Sequence, residues 1–281
     1  MIKRILKIIF KHKKNCFWFI IIFFLLIFST YYFFESPERL AVDFLDVGQG
    51  DASLIKEPGG KTILIDGGPD NKILKKLGAS LPYWKRKIDL ILVSHFHEDH
   101  ILGLIEIIKR YKIGLIILPS EGPASVVYDE FLNVIKNNKI NYIYLNSINN
   151  IEFSSSCYLK IIPPTIFAVK ADDNNSLISQ LDCQNKRFLF SGDNNIEVEK
   201  ALMNSKINLK ADVFKASHHG SVTANSLDFL EKISPKQIII SVGRDNRFKH
   251  PSPIVIENAQ SLGIEVYRTD QIGNIEIITK Y

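Results

Sequence analysis

Only three cysteines occur among 281 residues, too few for a disulfide scaffold. Disorder and low-complexity fibres are excluded too, since hydrophobic residues make up 46% and charged residues 23%. No repeat, linker or compositional break is visible after residue 40, which leaves one sizeable mixed domain. The most informative absence is of acid. The first 34 residues contain no Asp or Glu, but hold Lys3, Arg4, Lys7, Lys11, Lys13 and Lys14, a charge of +6. The whole chain carries +5, so the remainder, with 29 basic and 30 acidic residues, carries −1. The basic balance is the property of a tail and lends the domain no general affinity for nucleic acid.

Residues 17–34, FWFIIIFFLLIFSTYYFF, are apolar at 16 of 18 positions and uncharged. A helix of that length reaches roughly 27 Å, close to the thickness of a bilayer's hydrocarbon core. Tyr31 and Tyr32 stand where an aromatic belt belongs, and Glu35-Ser36-Pro37 stops the helix. All six basic residues precede the run, so the N-terminus is expected in the cytoplasm and the rest outside. The expected organisation is a basic cytoplasmic tail over 1–16, a transmembrane signal anchor over 17–34 and an extracytoplasmic domain over 35–281. A cleaved signal peptide is the rival reading, but no A-x-A-like site follows the run. In the exported part, Cys157 and Cys183 are open to a disulfide or to two buried thiols.

From Ala41 the pattern turns to short β-rich runs. Residues 41–47, 52–57 and 61–66 are divided by GQGD and PGG, a strand meander. Residues 88–94, IDLILVS, form a near-continuous apolar run, as in a strand buried on both faces. Helical patterns over 101–112 and 126–139 then alternate with strands over 114–119 and 140–145. Strands follow at 158–163, 176–181 and 188–192. The end alternates again: helix 195–205, strand 211–216, helix 225–233, strand 237–242, helix 252–262, and strands 264–269 and 274–279. This is a mixed α/β domain with two sheets packed between helices.

Five of the seven histidines fall in two clusters, each directly after a strand. SHFHEDH carries His95, His97, Asp99 and His100; KASHHGS carries His218 and His219. FSGD places Asp193 and LIDGG places Asp66 at two further strand ends. Loops at strand ends converge on one cavity in α/β folds. His95 and His97 can face one cation, Asp99 and His100 a second, and the two oxygens of Asp193 can bridge both. Imidazole with carboxylate suits zinc and admits manganese or iron. Two such ions roughly 3.5–4 Å apart lower the pKa of a bridging water and stabilise charge on an attacked phosphoryl or carbonyl group.

SHFHEDH resembles the HxHxDH signature of the metallo-β-lactamase superfamily. Together with FLDVGQGDASLI (44–55), ILIDGG (63–68), FLFSGD (188–193), FKASHHGS (214–221), SVGRDNRFKHP (241–251) and YRTDQIGNIEI (267–277), it is similar to the C-terminal hydrolase domain of ComEC-type DNA-uptake proteins. The likeness runs in order over about residues 41–281. It implies an αββα sandwich with a metal site between the sheets, here preceded by one transmembrane helix, and phosphodiesterase or nuclease chemistry outside the membrane. It implies His95, His97, Asp99, His100 and Asp193 as ligands of two zinc or manganese ions, with His218 or His219 completing the set. Asp66 would be an orienting carboxylate, and His250 a proton donor or phosphate contact. Asp46, Gln49, Asp51, Ser221, Arg244, Asn246 and Lys249 would line the cavity or meet the substrate.

Two departures stand out. The superfamily usually places a further histidine between HxHxDH and the bridging aspartate, and here none lies between His100 and His218. Leu102 and Lys249 stand where glycines are common. Many membrane spans form the channel of ComEC-type proteins, so a single span implies a tethered hydrolase module working with a separate DNA channel protein. The expected activity is a metal-dependent phosphodiesterase or nuclease acting on single- or double-stranded DNA or another phosphodiester. Trp84, Lys85, Arg86 and Lys87 are the candidate nucleic-acid contacts. The alternatives are a lactonase or β-lactamase-like ester or amide hydrolase, and a non-catalytic nucleic-acid-binding or assembly partner with a degenerate metal site.

Overall fold

A computed structural model describes residues 17–29, 39–120, 122–167 and 175–279. The chain divides into two units, Met1–Glu38 and Arg39–Tyr281. In the first, residues 17–29 are helical, and their apolar side chains are largely exposed, Phe19 at 73%. Among the described residues no helix is long and apolar enough to cross a membrane. The basic tail, Tyr31, Tyr32 and the Glu35-Ser36-Pro37 stop lie outside the described residues.

In the second unit the described residues form two seven-stranded sheets. The first sheet contains β1 (Ala41–Phe44), β2 (Ser53–Lys56), β3 (Thr62–Ile65), β4 (Lys87–Leu92), β5 (Lys112–Leu118), β6 (Tyr142–Tyr144) and, beside β1, β14 (Ile275–Ile278). Pairing is antiparallel from β14 to β3 and parallel from β3 to β6. The second sheet contains β7 (Asn149–Ser154), β8 (Cys157–Ile162), β9 (Ile178–Cys183), β10 (Lys186–Phe190), β11 (Val213–Lys215), β12 (Gln237–Ile240) and β13 (Glu265–Arg268). It is antiparallel from β7 to β10 and parallel from β10 to β13.

Three cores separate four layers. Helices α1 (Lys72–Ser80), α2 (Glu98–Ile108) and α3 (Val126–Asn137) cover the first sheet through Ile73, Leu77, Leu104, Ile108 and Phe131. Helices α4 (Ile196–Asn204), α5 (Leu227–Ile233) and α6 (Pro253–Ser261) cover the second through Val198, Leu202, Phe229 and Ala259. Between the sheets lie Phe44, Ile63, Leu92, Leu159, Phe188 and Phe190. The apolar run of β4 serves two of these cores: Leu90 and Leu92 enter the space between sheets, Ile91 and Val93 the space under the helices. This is the expected αββα sandwich.

The differences from expectation are local. Predicted strands 41–47, 88–94, 188–192 and 211–216 stop at Phe44, Leu92, Phe190 and Lys215, because their last residues leave the ladder for the loops that carry the candidate site. Helix α2 begins at Glu98, three residues before the predicted start, so Asp99 and His100 sit in its first turn, where acidic side chains favour the helix dipole. The short helix α7 (Thr269–Ile272) follows β13. Helix α1 and strand β7 are absent from the sequence reading: α1 is short and buries only Ile73 and Leu77, and β7 is an edge strand with no buried residue. Cys157 and Cys183 face each other in the β8–β9 register and are joined in a disulfide, which decides between the two readings of these cysteines.

Candidate metal centre

Strands β3 and β4 are parallel neighbours in one sheet, β10 and β11 in the other, and the loops at their carboxyl ends meet. Asp66, His95, Asp193 and the His218-His219 pair arrive on these four loops. The approach is close. Gly67 N donates to His100 O at 2.8 Å and Gly103 N to Gly68 O at 2.9 Å, pressing α2 onto the loop after β3. A Cβ on Gly103 would lie 1.9 Å from Gly67 O, so this position has room only for glycine. Leu102, by contrast, is half-buried and packs on the outer core.

Asp66 anchors the first cluster. It adopts φ 59°, and its carboxylate accepts from Ser94 N at 2.8 Å and Ser94 Oγ at 2.7 Å. The same carboxylate accepts from His100 Nδ1 at 2.9 Å. With Nδ1–H so engaged, His100 turns Nε2 toward Asp193 Oδ1, 3.5 Å away. His95 Nδ1 lies 3.0 Å from Ser94 Oγ and 3.2 Å from Ser176 Oγ, and its Nε2 faces Asp193 Oδ2 at 3.9 Å.

The second cluster is held differently. His218 and His219 both take left-handed backbone, φ 48° and 55°, on a 3-10 turn over Ser217–Gly220. The buried amide of Asn225 clamps that turn, accepting from Ser217 N and donating to Ser217 O and Ser221 O. His219 Nδ1 lies 3.0 Å from Ser241 O and 3.3 Å from Asp51 Oδ1. Its Nε2 therefore faces Asp99 Oδ2 at 3.1 Å and Asp193 Oδ2 at 3.7 Å. His218 Nε2 stands 3.8 Å from Asp193 Oδ2, at the open side.

Among the described residues, donor atoms within 4.8 Å of one another form the sets His95–His100–Asp193, Asp99–His100–His219, Asp51–Asp193–His219 and Asp51–Asp66–His100. The expected pairing of His95 with His97 does not recur in them. His97 occupies the position before the first turn of α2, with its ring 4.5 Å from that of His95. Of the HHGS pair, His219 joins these sets and His218 does not.

The donors fit a divalent cation. His95 Nε2, His100 Nε2 and Asp193 Oδ1 are buried with no hydrogen-bond partner, a costly arrangement unless a cation completes it. Charge points the same way: four carboxylates, Asp51, Asp66, Asp99 and Asp193, meet one buried lysine. Burial opposes charge on His219, yet Asp193 and Asp51 outweigh it and push its pKa up to about 10. His100 is likewise raised despite burial, by Asp193 and Asp66. Burial would raise Asp193 and Asp99, but His100 and His219 around them hold Asp193 well below the carboxylate range and bring Asp99 to about 2. The cluster draws in protons where no cation balances it. His95 is kept neutral by burial and by His100, and burial with His218 nearby lowers His250.

The remaining expected residues divide. His250 lies at the mouth, its ring 5.8 Å from that of His218. Asn246 spends its side chain on Gly243 O, His250 O and His250 N, bracing the loop, and Gln49 Oε1 accepts from Gly243 N. Ser221 Oγ pairs with Thr223 Oγ1, and Asp46 pairs with Lys76, capping its own turn through Gly48 N. Arg244 and Lys249 are exposed on the 243–250 loop, and Lys249 takes φ 58°, the conformation that makes glycine common there. Trp84, Lys85, Arg86 and Lys87 are not brought to the site. They lie just before β4 and at its first residue, Lys87, separated from its carboxyl end by roughly 17 Å of strand. Lys85 bonds Gly60 O, Lys87 pairs with Asp89, and Arg86 covers the Tyr111 ring.

Lys215, Ser94, Ser176 and Asn225 escaped the sequence reading. Lys215 is 2% exposed and donates to Asp51 Oδ2 at 2.8 Å. A lysine or serine beside a histidine motif reads as surface, and nothing local betrays its burial.

Residues 45–136 match the model of the Metallo-beta-lactamase superfamily. Over 84% of its length the chain is 26% identical to ComE operon protein 3 of Bacillus subtilis, and over 84% it is 29% identical to Recombination protein 2 of Haemophilus influenzae. It spans 32% and 28% of those two proteins. The structure resembles the metallo-beta-lactamase fold protein YhfI from Bacillus subtilis, with a TM-score of 0.57 over 86% of this chain and 100% of that one. Their identity is 12%, so this last likeness is one of fold.

Proposed function

We propose that this chain, whose residues 45–136 match the Metallo-beta-lactamase superfamily, is a divalent-metal-dependent phosphodiesterase acting on nucleic acid. The observation that carries the reading is the convergence of three unpartnered buried donors, His95 Nε2, His100 Nε2 and Asp193 Oδ1, inside an anionic cluster. The relatives direct it to DNA, one of them being a recombination protein by name.

In this proposal His95, His100 and Asp193 would hold one cation, and Asp99, His100 and His219, or Asp51, Asp193 and His219, would hold a second, with His97 and His218 beside them. Bound there, the cations supply Lewis acidity for activating water and neutralising charge on a phosphoryl group. Asp66 and Ser241 O fix the tautomers of His100 and His219, so both present Nε2. His250, its ring 5.8 Å from that of His218, would meet the departing phosphate oxygen as a hydrogen-bond donor. Arg244 and Lys249 offer exposed positive charge on the same loop for a phosphate backbone.

We further propose a single-pass anchor over 17–34 with the domain outside the cytoplasm, next to a separate DNA channel protein. The apolar run, the six preceding basic residues and the Cys157–Cys183 disulfide support it.

The test is hydrolysis by the full chain in detergent, loaded with Mn²⁺ or Zn²⁺ and offered single-stranded DNA, double-stranded DNA and a β-lactam. Cleavage of DNA that Asp193→Ala abolishes is expected. Turnover of the β-lactam alone, or no turnover with either metal, overturns the reading.

A further inference from the structure

A row of rings leads outward from the candidate centre. The His218 ring lies beside Asp193, and His250 meets it edge-on at 5.8 Å and 66°. Phe248 then lies nearly parallel to His250, at 5.8 Å and 14°, and the Arg247 guanidinium covers the Phe248 ring at 4.8 Å. Phe248 is 52% exposed, an unusual position for a phenylalanine on a polar loop. The loop around it is held firmly: Asn246 bonds Gly243 O, His250 O and His250 N, and Lys249 N bonds Asn246 O. The ring is thus presented on a braced loop, and its exposure is not the by-product of a slack one.

A half-exposed aromatic ring paired with an arginine plane, one ring from a phosphate-directed centre, has the chemistry of a nucleobase platform. Bases stack on aromatic and guanidinium planes whatever their sequence, and the adjacent cation serves the backbone. We infer that Phe248 and Arg247 form a stacking subsite for one unpaired base of a nucleic acid whose neighbouring phosphodiester enters the candidate centre. The inference rests on the phosphodiesterase reading and deepens it. An unpaired base is required because a paired one keeps its faces inside the duplex stack. The substrate class is therefore single-stranded, or a frayed or flipped end, and sequence preference is weak because every base has a π-face.

Binding and cleavage are measured separately on the full chain in detergent. Binding is followed by fluorescence anisotropy of a short labelled oligothymidylate and of an all-abasic oligomer of equal length, on protein stripped with EDTA. The parent is expected to favour the base-bearing oligomer roughly ten-fold, the worth of one stack. Phe248→Leu, which keeps apolar bulk without a ring, is expected to erase that preference, and Phe248→Trp to keep it. Equal binding of both oligomers by the parent overturns the subsite, as does a preference that Phe248→Leu leaves intact. So does a Phe248→Leu effect confined to anionic lipid vesicles, which would make this loop a membrane contact. Cleavage of the same oligomers with Mn²⁺ is then scored. Base preference without cleavage retains the subsite and sinks the phosphodiesterase reading; cleavage without base preference does the reverse.

Discussion

Lys215, at the end of a strand in one sheet, donates to Asp51 in a loop of the other, with Nζ 2.8 Å from Oδ2 and both side chains buried. The pair fastens the two sheets beside the candidate centre, and the second oxygen of Asp51 stands 3.3 Å from His219 Nδ1. Removing one member of a buried pair strands the other's charge. Lys215→Met should therefore lower stability in urea by about 3 kcal/mol. Adding Asp51→Asn should restore part of the loss, because no lone carboxylate is then left. A single variant as stable as the parent would mean the pair is not the fastening described.

The anionic cluster should bind cations and be stabilised by them. Raising Mn²⁺ or Zn²⁺ to about a hundred times its dissociation constant adds about 2.7 kcal/mol to the unfolding free energy of the parent. Asp193→Ala removes an oxygen from two of the donor sets and should lose most of that gain. Calorimetric scans with and without EDTA read the difference directly.

Asp66 acts through His100. Changing it to Asn puts an amide where a carboxylate accepts from Nδ1 and from Ser94, so His100 no longer has a reason to present Nε2. Cation affinity should drop about 10–100-fold, as for other partners of ligating histidines. Isothermal titration of Asp66→Asn with an unchanged affinity would contradict this.

The pH dependence of the cation-free protein has a definite sign. His219, pushed up to about 10 against the ordinary 6.5, holds its proton more tightly when folded. Its stabilising contribution is complete below pH 6.5 and is lost as pH rises toward about 10. Asp99, brought to about 2 from 3.8, contributes fully above pH 3.8 and loses that contribution as pH falls toward about 2. In EDTA, the stability difference between the parent and His219→Gln should shrink from pH 6.5 upward. A difference that grows over that range would refute the assignment.

Much of this was legible in the residues themselves. The buried run of β4 was readable because Leu90 and Leu92 alternate with Ile91 and Val93 into two cores, which leaves no polar position between Leu90 and Val93. Asp66, His95, Asp193 and His219 were readable as strand-end residues of metal-binding type. Strand β7 was not, because an edge strand with no buried residue leaves almost no periodic trace, and helix α1 was passed over although Ile73 and Leu77 fall on one face.

The sequence by itself determined which side chains could bind a cation, and that each follows a strand whose neighbours bury it. Local spacing also suggested pairs, His95 with His97 and Asp99 with His100. Only the tertiary structure decided the partners. It keeps Asp99 with His100 and adds His219 to them, sets His95 with His100 and Asp193, and stands His97 at the start of α2 with its ring 4.5 Å from that of His95. It also buries Lys215 against Asp51, 164 positions away. The reason is geometric: spacing along the chain governs contacts within one loop, whereas this centre is built where loops from two sheets meet, and their meeting is set by the packing of the apolar faces between them.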